Sequence, residues 1–60
     1  MNMDKVMYEI KAELRECEAY CESQGWPGHG SNYELMASDT LRWYEEQYPE
    51  YAREIASIWV

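Results

Sequence analysis

The sequence predicts an all-α protein, a helical hairpin closed by a short C-terminal helix. Three observations carry that prediction: apolar residues recur at helical spacing in three stretches, a glycine-rich loop divides the first two, and Pro49 divides the last two. No stretch alternates as a strand would, and no internal repeat is present.

The first helix is expected over about residues 3–24. Met3, Met7, Ile10, Leu14, Cys17 and Cys21 follow one another at spacings of 4, 3, 4, 3 and 4, a heptad seam. Val6 and Tyr20 widen it on one flank, and Tyr8 points away from it. Asn2 is the expected N-cap, with Asp4 close to the positive end of the helix dipole. Such a stripe needs one long neighbour, from the same chain or from a second copy.

Residues 25–31 are expected to form the loop. Gly25 suits the left-handed position after a helix end, with Trp26 folding back toward Cys21 in a Schellman-type contact. Pro27, Gly28 and Gly30 then let the chain reverse. The second helix is expected over about residues 32–48. Ser31 and Glu34 match a capping box, which makes Ser31 the cap rather than a nucleophile. Tyr33, Ala37, Leu41, Tyr44 and Tyr48 line one face, with Met36 and Trp43 beside it. Ser38, Asp39 and Thr40 offer competing backbone hydrogen bonds and mark a possible break, although one continuous helix is the preferred reading. Pro49 ends this helix and suits the first turn of a third, over about residues 49–59, whose Tyr51, Ala52, Ile55, Ile58 and Trp59 share a face.

Size constrains what these helices can do. Sixty residues form one domain at most, and so small a core is marginal without a disulfide, a metal or a second copy. Cys17 and Cys21 are poorly placed to bridge, and the opening residues hold no apolar run of the secretory kind. Free thiols and a cytoplasmic location are therefore expected, with no membrane span. The remaining route is self-association. The expected homodimer seam comprises Met3, Met7, Ile10, Leu14, Cys17 and Cys21 together with Trp43, Tyr44 and Trp59, giving a dimeric helical bundle.

Charge narrows the function. Twelve acidic and five basic groups give a net charge of −7, spread along the chain rather than gathered in a tail. Direct nucleic-acid binding is disfavoured because affinity for phosphate rests on Lys and Arg, and the net negative second helix excludes a helix-turn-helix reader. Rows of Glu9, Glu13 and Glu16, and of Asp39, Glu45 and Glu46, suggest an alternative: a nucleic-acid mimic that blocks a basic cleft. Lys5, Lys11, Arg15 and Arg42 dilute those rows, with Lys5–Glu9 and Arg42–Glu46 as expected intrahelical pairs.

No phosphate loop, nucleotide fingerprint or calcium loop is present. Cys17, Cys21 and His29 form a conceivable metal module, with Glu22 as a fourth ligand. The simpler reading makes both cysteines small buried hydrophobes and His29 a solvated loop residue. Catalysis, a cofactor and a small-molecule substrate are not expected.

Three Trp and six Tyr stand without a single Phe, so every ring has a polar handle suited to half-wet contact sites. The expectation is a non-enzymatic regulatory or inhibitory protein acting by protein–protein interaction, of the type that phages and mobile elements encode. Its first candidate partner surface is Tyr8, Trp26 and Leu35, which lie off the apolar faces or in the loop.

Overall fold

Helix α1 (Met3–Ser23) and helix α2 (Ser31–Gln47) run antiparallel, and a one-turn 3-10 segment (Pro49–Tyr51) leads into helix α3 (Ala52–Ser57). The computed structural model describes residues 3–58; the expected Asn2 cap and the Trp59 contribution lie outside them. Among the described residues there is no strand, and no helix is long and apolar enough to cross a membrane. Twenty-one residues at 1.5 Å each make α1 about 32 Å long, which accounts for most of the 36 Å long axis of the molecule.

The hairpin depends on how α1 stops. Gly25 adopts φ +82°, its N–H donates to the Glu22 carbonyl at 3.0 Å, and the Trp26 N–H donates to the Cys21 carbonyl at 3.0 Å. These are the two bonds of a Schellman motif, with Gly25 in the left-handed position expected for it. The Trp26 ring meets Tyr20 edge-on, with centroids 6.1 Å apart. Gly28 then lies flat against the last turns of α1: a Cβ there would stand 3.2 Å from Glu18 Cγ and 2.8 Å from Glu22 Oε2.

The start of α2 differs from the expected capping box. Gly30 is the N-cap, its carbonyl accepts the Glu34 N–H at 3.0 Å, and no side chain caps the helix. The helix begins one residue early because Gly30 already has the extended backbone a cap requires, so Ser31 becomes the first helical residue and its hydroxyl is exposed. The possible break does not occur. Thr40 donates its hydroxyl to the Met36 carbonyl at 3.0 Å, one turn back, so its hydrogen bond lies along the helix instead of interrupting it.

The core is small, and no polar or charged residue is buried among the described residues. Val6, Ile10, Leu41, Tyr44 and Ile55 form the central cluster, and Met7, Leu14, Tyr48, Tyr51 and Ile58 pack around it. Val6, expected on the flank, is fully buried, whereas Met3 is 36% exposed. The cause is geometric: a straight helix drifts from a 3.5-residue repeat by about 20° per heptad, so the buried stripe rotates toward Val6. Complete burial of Val6, Ile10 and Ile55 contributes about 1.5–3 kcal/mol each.

The third helical stretch is a 3-10 turn followed by six α-helical residues, not one continuous helix. Tyr48 is driven to φ −130°, ψ 66° ahead of Pro49, and the chain resumes in the tighter helix. Stacked rings carry the packing across this break. Tyr44 and Tyr48 lie 6.2 Å apart and Tyr48 and Tyr51 6.4 Å apart, both near parallel.

Substitutions at two positions test this account. Gly25→Ala meets no atom within 4 Å, so its cost is purely conformational. It is expected to lower stability by about 1 kcal/mol and the melting point by about 4–8 °C, while Gly25→Asn loses less. Equal melting points for Gly25→Ala and the native protein in a circular-dichroism scan would contradict the left-handed turn. Ile55→Ala is expected to cost about 2–5 kcal/mol, enough to unfold much of the protein in mild urea. If α3 were a dispensable appendage, the urea midpoint would not move.

Candidate functional site

The expected dimer seam divides once the hairpin closes. Ile10, Cys17 and Cys21 of α1 and Tyr44 of α2 are buried within a single chain, because the two helices lie along one another. Leu14 and Met7 are half-buried beside the same core. A second copy is therefore not needed to cover most of this stripe. Only Met3 and Trp43 of the described seam residues remain exposed, Trp43 at 52%.

The cysteines are held as core residues. Cys21 Sγ donates to Met36 Sδ at 3.8 Å, and Cys17 Sγ stands 4.0 Å from Thr40 Oγ1. Since the Thr40 hydrogen is already given to Met36, the Cys17 thiol is the donor in that contact. His29 belongs to a different cluster: its Nε2 lies 3.1 Å from Glu18 Oε2, and its ring stacks on Tyr33 at 4.5 Å. Among the described residues, no three His, Cys, Asp or Glu side chains gather as a metal site. The module of Cys17, Cys21, His29 and Glu22 is thus not assembled, because the thiols face α2 while the loop carries His29 to Glu18.

Three open depressions mark the surface of the described residues. One of about 440 Å³ lies between His29, Tyr33, Glu34 and Ile58. Another, of about 230 Å³, lies where α3 meets α2, lined by Ser38, Leu41, Arg42, Glu45 and Ala56. A third, of about 320 Å³, lies between α1 and α2, lined by Glu13, Thr40, Trp43 and Tyr44. The last two are on different sides of α2. At 100° per residue, Ser38, Leu41 and Glu45 share one side and Met36, Thr40 and Trp43 the other. Helix α3 covers the first side and leaves the second open.

The three residues expected as a partner surface are all exposed: Tyr8 at 70%, Leu35 at 68% and Trp26 at 39%. They do not form one patch. Tyr8 lies on the side of α1 away from α2, and Leu35 on the side of α2 away from α1, so the thickness of the hairpin separates them. Trp26 is instead joined to Tyr20, which is 50% exposed. Tyr20 continues the stripe of Glu9, Glu13 and Glu16 at spacings of 4, 3 and 4, on the open side of the hairpin. Sequence reading placed Tyr20 and Trp43 beside the apolar faces. Both emerge, because α3 occupies the other side of the hairpin.

The electrostatics of the open side are negative. Burial first, then the carboxylates of Glu13 and Glu9, raises the Tyr44 phenol above its ordinary value of 10.0. Tyr33 is also raised, by burial first and then by Cys17, Glu18 and Cys21. Arg42 pairs with Asp39 at 3.7 Å, one turn back, rather than with the expected Glu46. Among described side chains, the ion pairs His29–Glu18 and Arg42–Asp39 engage none of Glu9, Glu13, Glu16 or Glu46.

Searches of protein-family models, curated proteins and solved structures find no match to this chain.

The raised phenols set a pH dependence. A phenol that holds its proton more tightly when folded contributes stability that is complete below the unfolded value, near 10. That stability is lost as pH rises through the folded value, because the unfolded chain ionises first. The urea midpoint is therefore expected to fall from about pH 10 upward, and Tyr44→Phe to lessen the fall. Tyrosinate absorbance that rose in a single step, with the native circular dichroism intact, would contradict it.

Proposed function

We propose that this is a non-enzymatic regulatory or inhibitory protein that acts by binding another protein. The observation that carries the reading is the display of large apolar side chains. Tyr8, Tyr20, Leu35 and Trp43 are each at least half exposed, although the core nearby has room for only a few residues. Exposed Tyr and Trp of this kind are the side chains that dominate binding energy at protein interfaces. The net charge of −7 favours a basic partner and opposes contact with phosphate.

The remaining chemistry supports binding over catalysis. His29 is paired with Glu18 but largely exposed beside an open depression, and the thiols face the core, so no described site joins a base and its partner to a nucleophile in a water-excluding pocket. A catalytic site needs a nucleophile or base, its orienting partner and a water-excluding pocket in one place.

The test is capture from an extract of the source cell on immobilised protein, with elution at low and high salt and identification by mass spectrometry. A stoichiometric partner protein is expected, retained at moderate salt and lost when exposed aromatics are replaced by Ala. Partners that elute with salt and ignore aromatic substitution, but disappear after Glu→Gln changes, would favour nucleic-acid mimicry instead. Retention of no protein above that seen with a heat-denatured control would defeat the reading.

A further inference from the structure

We infer that the open side of the hairpin is a groove for a basic amphipathic helix of the partner protein, an assignment that rests on the protein-binding function proposed above. The groove runs along the α1–α2 junction. At the loop end it is bordered by Met36, half-buried with its Sδ against the Cys21 thiol, and by Tyr20, the residue before Cys21 on α1, with Trp26 edge-on against it. Two helical turns away, the exposed Trp43 packs edge-on against the buried Tyr44, ring centroids 5.0 Å apart. Met36 and Trp43 are seven positions apart on one helix, a separation of about 10 Å. That matches the spacing between the i and i+7 side chains of a docking helix, whose apolar anchors would enter at these two places.

The register of the hairpin brings the two walls together. Cys21 meets Met36, Cys17 meets Thr40, and Glu13 shares the depression of Trp43 and Tyr44. The Glu9–Glu13–Glu16–Tyr20 stripe therefore forms one wall, and the Met36–Thr40–Trp43 stripe the other. Glu46 stands one turn beyond Trp43 on the outer rim, while Asp39 is already paired to Arg42.

Charge decides the occupant. The α1 wall carries three carboxylates with no ion pair to another described side chain, and their field reaches the floor, where Glu13 and Glu9 both act on the Tyr44 phenol. A second copy docked on the same face would set acidic wall against acidic wall, a like-charge juxtaposition that costs affinity. A helix whose apolar stripe is bordered by Lys and Arg satisfies both features. Its cations pair with Glu9, Glu13 and Glu16, and one can lie over the face of Trp43.

The probe is a displayed library of helical peptides, randomised in charge and apolar spacing and selected on the folded full-length chain. Enriched sequences are expected to be basic, with apolar residues at i, i+3 or i+4, and i+7. Trp43→Ala is expected to weaken a selected peptide roughly thirtyfold. Glu9→Gln, Glu13→Gln and Glu16→Gln together should weaken it roughly tenfold and flatten its salt dependence. All four side chains are on the surface or half-exposed, and unchanged melting of each variant checks that the fold is kept.

Enrichment of neutral or acidic peptides would overturn the assignment. So would basic peptides unaffected by these substitutions but released by Tyr8→Ala or Leu35→Ala, a result that spares the protein-binding function and removes only the groove. A dimer in light scattering that Trp43→Glu dissociates would make a second copy the occupant and overturn it as well. Failure to enrich any sequence above a denatured-protein control would sink both readings together.

Discussion

The position of α2 between two helices is the constraint on which the molecule depends. Leu41 and Tyr44 meet Val6 and Ile10 of α1 together with Ile55 of α3, and this cluster is the centre of the core. A chain of 60 residues has little apolar area to spend, so one shared wall must serve both neighbours. Ala37 is also fully buried on α2, between the Met36 and Thr40 positions that meet the cysteines of α1. Helix α1 alone would be a marginal amphipathic rod, since helices gain most of their stability from packing a face.

That arrangement also explains the uneven surface. A helix has only so much circumference, and α2 gives one side to α1 and the adjoining side to α3. Its third side, with the half-buried Met36 and the exposed Trp43, faces solvent. Because α3 settles on a single side of the hairpin, Tyr20, Trp26 and Trp43 stay exposed on the opposite junction, beside the carboxylates of α1, while Tyr8 faces away from both. The polar handles of Tyr and Trp make this tolerable in water and useful at an interface. The cysteines take no part in it. Their thiols point at Met36 and Thr40, and they pack as small hydrophobes in the thin end of the hairpin.

Much of the fold was legible from residue spacing. The first helix, the Schellman turn at Gly25, the uninterrupted second helix and the stop at Pro49 each follow from local chemistry: periodicity, the freedom of glycine at positive φ, and the restraint proline places on its predecessor. The misreadings were likewise local competitions. Gly30 took the cap position from Ser31 because its own backbone was already extended, and Val6 replaced Met3 and Met7 at the heart of the seam because a straight helix does not keep a heptad repeat. The candidate surface was less legible. Tyr8 and Leu35 are as exposed as their positions imply, yet they face opposite ways, and linear spacing on two separate helices carries no information about their relative direction.

The amino-acid order by itself determined that this chain is helical, where the first two helices begin and end to within a residue, and which side of each helix is apolar. Those properties are set by contacts within a few residues, where backbone geometry leaves few choices. Only the tertiary structure decided that α1 closes on α2 of the same chain, that α3 covers one flank, and that Tyr20 and Trp43 remain outside. Such outcomes depend on the rotation of one helix about its axis relative to another. A shift of a few tens of degrees there exchanges a buried ring for an exposed one without altering any local preference.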